Sequence, residues 1–133
     1  MRIYLDFDGT VVEHYYPAIG AENPGALRII SLLQAKGHQI TLNTYRADID
    51  IETVHSALAY INASEYISDP ITQFMPKKLD PKPFDIQAAI ACNQLYIDDV
   101  SVGTPMRRNI ALEYGMMVNW EELEQIFMKH GLI

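Results

Sequence analysis

The stretch Met1-Arg2-Ile3-Tyr4-Leu5-Asp6-Phe7-Asp8-Gly9-Thr10 decides how this chain is read. Ile3, Tyr4 and Leu5 make a short apolar run of the buried-strand type. Two carboxylates follow, two residues apart, then a glycine and a hydroxyl. Residues i and i+2 share a face of a strand, and the chain must turn at Gly9. Asp6 and Asp8 are therefore expected to converge at the strand's carboxyl end. Like charges that close need a shared proton or a divalent cation, and an all-oxygen donor set suits magnesium. A plain surface turn also uses Asp and Gly. Position favours the site, because open α/β sheets bind ligands beyond the carboxyl ends of their strands.

Downstream of this stretch, the spacing alternates between helix and strand. Val11 to Ala21 is irregular and carries His14, Tyr15, Tyr16 and Pro17. Asn23-Pro24 reads as a helix cap and first turn, followed by Leu27, Ile30 and Leu33 at helical spacing and closed by Gly37. His38 to Thr44 reads as a second strand and Tyr45 to Asp50 as a polar loop. Ile51, Val54, Leu58 and Ile61 form a second helical stripe. Tyr66-Ile67-Ser68 reads as a short third strand. A proline- and lysine-rich stretch, Asp69 to Pro83, leads to a short helix with Ile86, Ala89 and Ile90 inward.

Leu95-Tyr96-Ile97 is a fourth strand, ending in Asp98-Asp99. Val100 to Tyr114 reads as loop with at most a helical turn. Met116-Met117-Val118 is a fifth strand, and Asn119 caps a last helix bearing Trp120, Leu123 and Phe127. Such alternation implies right-handed crossovers and a mainly parallel sheet in a three-layer α/β domain. The first, second and fourth strands each end in a candidate functional group.

Composition bounds the function. The 133 residues suffice for one domain, 1–133, and not for two. A hydrophobic share of 49% with 20% charged residues is that of an ordinary globular protein. A net charge of −7 argues against nucleic acid as a partner, which calls for a basic face. One cysteine, Cys92, allows no internal disulfide. No apolar run reaches the length of a membrane span. Met1-Arg2-Ile3 leads into a strand and not into a secretory signal. The expected location is cytoplasmic and no membrane partner is expected.

At the second strand's end, Thr44 offers a hydroxyl to a phosphoryl oxygen, with Asn43 and Arg46 beside it. Thr44 also fits a turn or cap. Arg46 is either a substrate clamp or a surface charge. Among Lys77, Lys78 and Lys82, the choice for an active-site cation is Lys82, because Pro83 stiffens the chain after it and a helix starts there. Asp98 and Asp99 are adjacent acids at the end of an apolar strand, costly unless paired or bound to metal.

Taken together, these residues resemble the haloacid dehalogenase (HAD) superfamily over nearly the whole chain. Asp6-Phe7-Asp8-Gly9-Thr10 is similar to its first motif, Thr44 to the second, Lys82 to the third and Asp98-Asp99 to the fourth. The resemblance implies a Rossmann-like sheet of strand order 5-4-1-2-3. It implies magnesium held by Asp6, the Asp8 carbonyl and Asp98, with Asp99 serving the metal through water or by holding a partner. It also implies an aspartyl phosphate on Asp6, with Asp8 as acid and base. Asp8 favours phosphoryl transfer over dehalogenation. The intervals between motifs are too short for a cap domain.

A small phosphorylated substrate is the expected partner, with Gly9, Thr10, Asn43, Arg46 and Tyr15 as candidate contacts. Tyr15 and Tyr16 either close over the substrate or pack on a neighbouring loop or a second copy of the chain. Two other readings stand beside the phosphatase. One is a receiver-like phosphoacceptor domain, whose acceptor aspartate would sit after the third strand. The other is a catalytically silent HAD-like binding protein.

Overall fold

The computed structural model describes residues 1–109 and 115–133. Its centre is a parallel sheet of β1 (Arg2–Leu5), β2 (Gln39–Leu42) and β3 (Gln94–Ile97), in the order β2-β1-β3. Leu5 pairs with Leu42 on one side and with Ile97 on the other. The three strands therefore end level, and the residues just beyond them meet at one edge.

Ile3 and Leu5 point to one face and are wholly buried with Ile29, Ile30, Leu33, Ile61 and Phe127. Burying one such side chain is worth about 1.5–3 kcal/mol. Tyr4 points the other way and stacks on Tyr96 of β3, 4.9 Å between ring centroids. Around the sheet lie α1 (Ala26–Ala35), α2 (Arg46–Ile49), α3 (Ile51–Asn62), α4 (Ile86–Cys92) and α5 (Trp120–Lys129). Asp50, Asp85 and Asn119 each cap the next helix by accepting a backbone N–H.

Several elements differ from the sequence expectation. Tyr66-Ile67-Ser68 forms no strand. The edge of β2 is instead met by Gln73–Met75. Leu42 N–H donates to the Gln73 carbonyl, and Met75 N–H donates to that of Leu42. Met116–Val118 is a strand, β5, but it pairs antiparallel with β4 (Met106–Arg108) in a separate two-stranded sheet. A five-strand parallel order 5-4-1-2-3 is therefore not formed among the described residues. The stretch Val100 to Tyr114, read as loop, contains β4, and its positions 110–114 lie outside the described residues.

The polar loop from Tyr45 holds the short α2. Asn23 does not cap α1, which starts at Ala26 behind Gly25 in the left-handed region. Asn23 is buried, and its amide donates to the carbonyls of Thr10 and Val118, tying the turn after β1 to β5. Ile90 is exposed, so α4 turns only Ala89 fully inward. Among the described residues, no helix is long and apolar enough to cross a membrane.

Candidate functional site

Asp6 follows β1 directly and is buried. Phe7, next in line, points into the core, which sends Asp8 back to the sheet edge. The turn then depends on Gly9, whose φ is +81°. A β-carbon there would collide with the His14 ring and the Asp99 carboxylate, so this backbone approaches both as only glycine can. Thr10 is buried and joins two loops. Its hydroxyl donates to Asp6 Oδ2 at 2.9 Å and accepts from the Asp99 amide at 3.2 Å.

Asp98 and Asp99 come directly after β3, so the level strand ends bring them to Asp6. One carboxylate oxygen from each of Asp6, Asp98 and Asp99 lies within 4.8 Å of the other two. The cation in their midst is Lys78. Its Nζ is 3.3 Å from Asp6 Oδ1 and 2.9 Å from Asp98 Oδ2. The second contact is ionic without hydrogen-bond geometry, so the buried Asp98 Oδ2 accepts no hydrogen bond.

This placement corrects the choice of lysine. Lys82 reaches Gln94 Oε1 at 3.0 Å, at the opposite end of β3, and does not approach the carboxylates. What selects Lys78 is its backbone. Asn43 donates to the Leu79 carbonyl and accepts from the Leu79 N–H, and Asp48 accepts from the Lys78 N–H. Asn43 is thus a brace for the lysine loop and does not line the cavity.

The charges are unbalanced. Burial, then the Asp98 charge, pushes the Asp6 carboxyl well above the usual range. Burial also lifts Asp98, against the pull of the Val100 amide and Lys78. Asp99 moves the other way: burial raises it, but its contacts with His14 and Asp6 outweigh that and hold it low. Burial alone would lower Lys78, and the Asp6 and Asp98 charges reverse this. The hydrogen bond to Asp99 raises His14.

Asp8 has its own partner. Arg46 donates from Nε and Nη2 to the two Asp8 oxygens, both at 2.8 Å. It also donates to the Pro17 and Ala18 carbonyls and lies between the rings of Phe7 and Tyr16. Arg46 is 1% exposed. It is not a surface charge: it lines the cavity and fastens the 11–21 segment to Asp8. Sequence offers no signal for such an arginine.

These groups surround a cavity of about 210 Å³ lined by Asp6, Asp8, Thr44, Tyr45, Lys78 and Asp99, with His14 and Tyr16 over it. Thr44 is buried, its oxygen accepting from the Arg46 amide, and its O–H is a donor on the cavity wall. Tyr15 is 67% exposed and does not line the cavity, so Tyr16 takes the place expected for it.

The donor set fits magnesium. It is all oxygen, it holds more negative than positive charge, and it includes one buried carboxylate oxygen with no hydrogen bond. Asp6, Asp98 and Asp99 are the residues that can hold the ion, and the Asp8 side chain is committed to Arg46.

No family model matches this sequence, and no curated protein matches it. A solved structure does resemble it, described as the conserved protein coded by a locus from Bacteroides thetaiotaomicron. That chain is 25% identical, with a TM-score of 0.56 over 98% of this chain and 91% of its own. The mixed α/β fold, with its central parallel sheet and small antiparallel sheet, is therefore one that a second protein shares.

Proposed function

We propose that this protein is a magnesium-dependent phosphomonoesterase of the HAD type, acting through an aspartyl phosphate on Asp6. The observation that carries the reading is the meeting of Asp6, Asp98 and Asp99 around Lys78 at the level ends of β1 and β3. Lys78 meets two of these acids and His14 the third, so three carboxylates crowd one place that holds a single ammonium and an imidazole. Such a cluster costs folding energy and is the arrangement expected of a site that works on charge. The order 5-4-1-2-3 and the three-layer HAD-like arrangement belong to this proposal. The order β3-β1-β2 and the bonding of Gln73–Met75 to the edge of β2 support it.

In this reading an Asp6 carboxylate oxygen forms a bond to phosphorus as the ester P–O bond breaks, and the electron pair leaves with the ester oxygen. Water then attacks the aspartyl phosphate, Asp8 accepts its proton, and Asp6 is regenerated with release of phosphate. Lys78 and the Thr44 hydroxyl stabilise charge on the phosphoryl oxygens. Magnesium, when bound, adds positive charge at those oxygens and at the carboxylates. Thr10 holds Asp6 in line, and the 11–21 segment shields the cavity from water. The test is release of phosphate from simple esters with and without magnesium, in the parent and in Asp6→Asn. Turnover that survives Asp6→Asn overturns the reading.

A further inference from the structure

The rim of the cavity differs in character from its floor. Tyr45, Ile49 and Val100 stand at the mouth, 55%, 66% and 63% exposed, with Tyr16 beside them at 41%. Exposed apolar side chains gathered at the mouth of a polar cavity are a contact surface. The basic side chains that line the cavity are His14, Arg46 and Lys78. Each is already paired with a carboxylate: His14 with Asp99, Arg46 with Asp8, Lys78 with Asp6 and Asp98. Among the described residues, the lining thus offers no unpaired cation to a second phosphate or a carboxylate, and the carboxylates repel one. The cavity, at about 210 Å³, is below the roughly 300–1,000 Å³ of pockets that enclose a drug-sized ligand. A substrate seats its phosphate within and leaves its body against the rim.

The two aromatic rings at the rim, Tyr45 and Tyr16, suit a flat aromatic body. A phenol, with a pKa near that of tyrosine, about 10, departs as its anion far more readily than an alkanol, whose pKa is nearer the roughly 15.7 of water.

We propose that the site takes an aryl phosphate monoester whose flat, uncharged body rests on Tyr45 and Tyr16 and whose oxygen departs as a phenolate. The inference rests on the phosphomonoesterase reading. As the bond from Asp6 to phosphorus forms, the bond from phosphorus to the aryl oxygen breaks. Its electron pair stays on that oxygen, and solvent later protonates it. Tyr45 also lies 4.3 Å from Lys78 Nζ, so the aromatic platform and the phosphate-binding cation are contiguous.

The experiment measures kcat and KM with magnesium for phenyl, cyclohexyl and methyl phosphate and for acetyl phosphate, in the parent, Tyr45→Ala and Tyr45→Phe. Phenyl phosphate should exceed cyclohexyl phosphate in kcat/KM by about tenfold or more. In Tyr45→Ala the KM for phenyl phosphate should rise about three- to tenfold relative to that for methyl phosphate, the scale of one aromatic contact. Tyr45→Phe should restore the ratio. Equal use of phenyl and cyclohexyl phosphate, or a KM ratio unmoved by Tyr45→Ala, overturns this inference and leaves the hydrolase standing. Acetyl phosphate cleaved more efficiently than phenyl phosphate replaces the aryl group by an acyl one. Hydrolysis of none of them removes the phosphomonoesterase and this inference together.

Discussion

The two ends of the parallel sheet make opposite use of their polar groups. At the amino end lies the larger cavity, about 460 Å³, bounded by Met1, Arg2, Gln39, Asn93 and Gln94. Three polar groups around it are paired. The terminal ammonium meets His38 Nδ1 at 2.8 Å, the other ring nitrogen meets the Leu132 carbonyl, and Lys82 meets Gln94. Burial holds His38 low, as a neutral ring that accepts on one side and donates on the other. At the carboxyl end the cavity is less than half that size, yet three acids crowd together there, two on Lys78 and one on His14. Crowded charge, and not volume, makes the carboxyl-end cavity the candidate site.

The difference is broken most severely at Asp6. Asp6→Asn, or removal of divalent metal by a chelator, should take phosphatase turnover below detection. The substituted protein should keep its circular dichroism spectrum, since the amide still accepts from Thr10 and fills the same space. Arg46 comes next. Removing it strands Asp8 and takes a donor from three carbonyls, those of Pro17, Ala18 and Thr53, and loss of one partner of a buried pair costs about 3–5 kcal/mol. Arg46→Met should lower stability by that much in urea unfolding. A loss under about 1 kcal/mol would mean the pair is solvated like an ordinary surface bridge.

Lys78 and Lys82 set the two ends side by side. Lys78→Ala should cost on the order of a hundredfold or more in kcat, as expected for a charge-stabilising donor. Lys82→Ala should stay within about twofold, as for a surface change of under about 0.5 kcal/mol. The reverse pattern would move the catalytic cation to the other lysine.

The smallest effect is in stability against pH. Asp6 and Asp98 bind a proton more tightly folded than unfolded, so their contribution is full at low pH and is lost as pH rises through their folded values. Asp99 has the opposite sign, its contribution being lost as pH falls. In metal-free protein at neutral pH, Asp6→Asn should therefore melt above the parent, because it cannot ionise. The gap should narrow as the pH is lowered toward the carboxylate range. A gap that does not change with pH would show that Asp6 carries no buried charge.

The legible part of the molecule was written in local pattern. An apolar run ending in acids announced β1 and β3 and placed Asp6, Asp8, Asp98 and Asp99 at one edge. Helical stripes announced α1, α3 and α5. What was not legible depends on contacts far apart in sequence. Lys78 is chosen over Lys82 by hydrogen bonds from Asn43 and Asp48, more than 25 residues upstream. Arg46 is buried because Asp8, Pro17 and Ala18 wait for it, 28 to 38 residues earlier. Tyr66–Ser68 has strand-like residues, but the place beside β2 goes to Gln73–Met75. The pairing of Met116–Val118 with Met106–Arg108 is equally a matter of tertiary placement, which residue preference does not encode.

Trapping of the covalent intermediate tests the phosphoryl-transfer assignment most directly. Protein mixed with magnesium and phenyl phosphate, quenched in acid within one turnover and digested, should yield one phosphorylated peptide, that spanning Asp6. The label should be absent in Asp6→Asn. Steady turnover with no phosphorylated peptide, or a phosphoryl group found on another residue, would contradict the assignment of Asp6 as nucleophile.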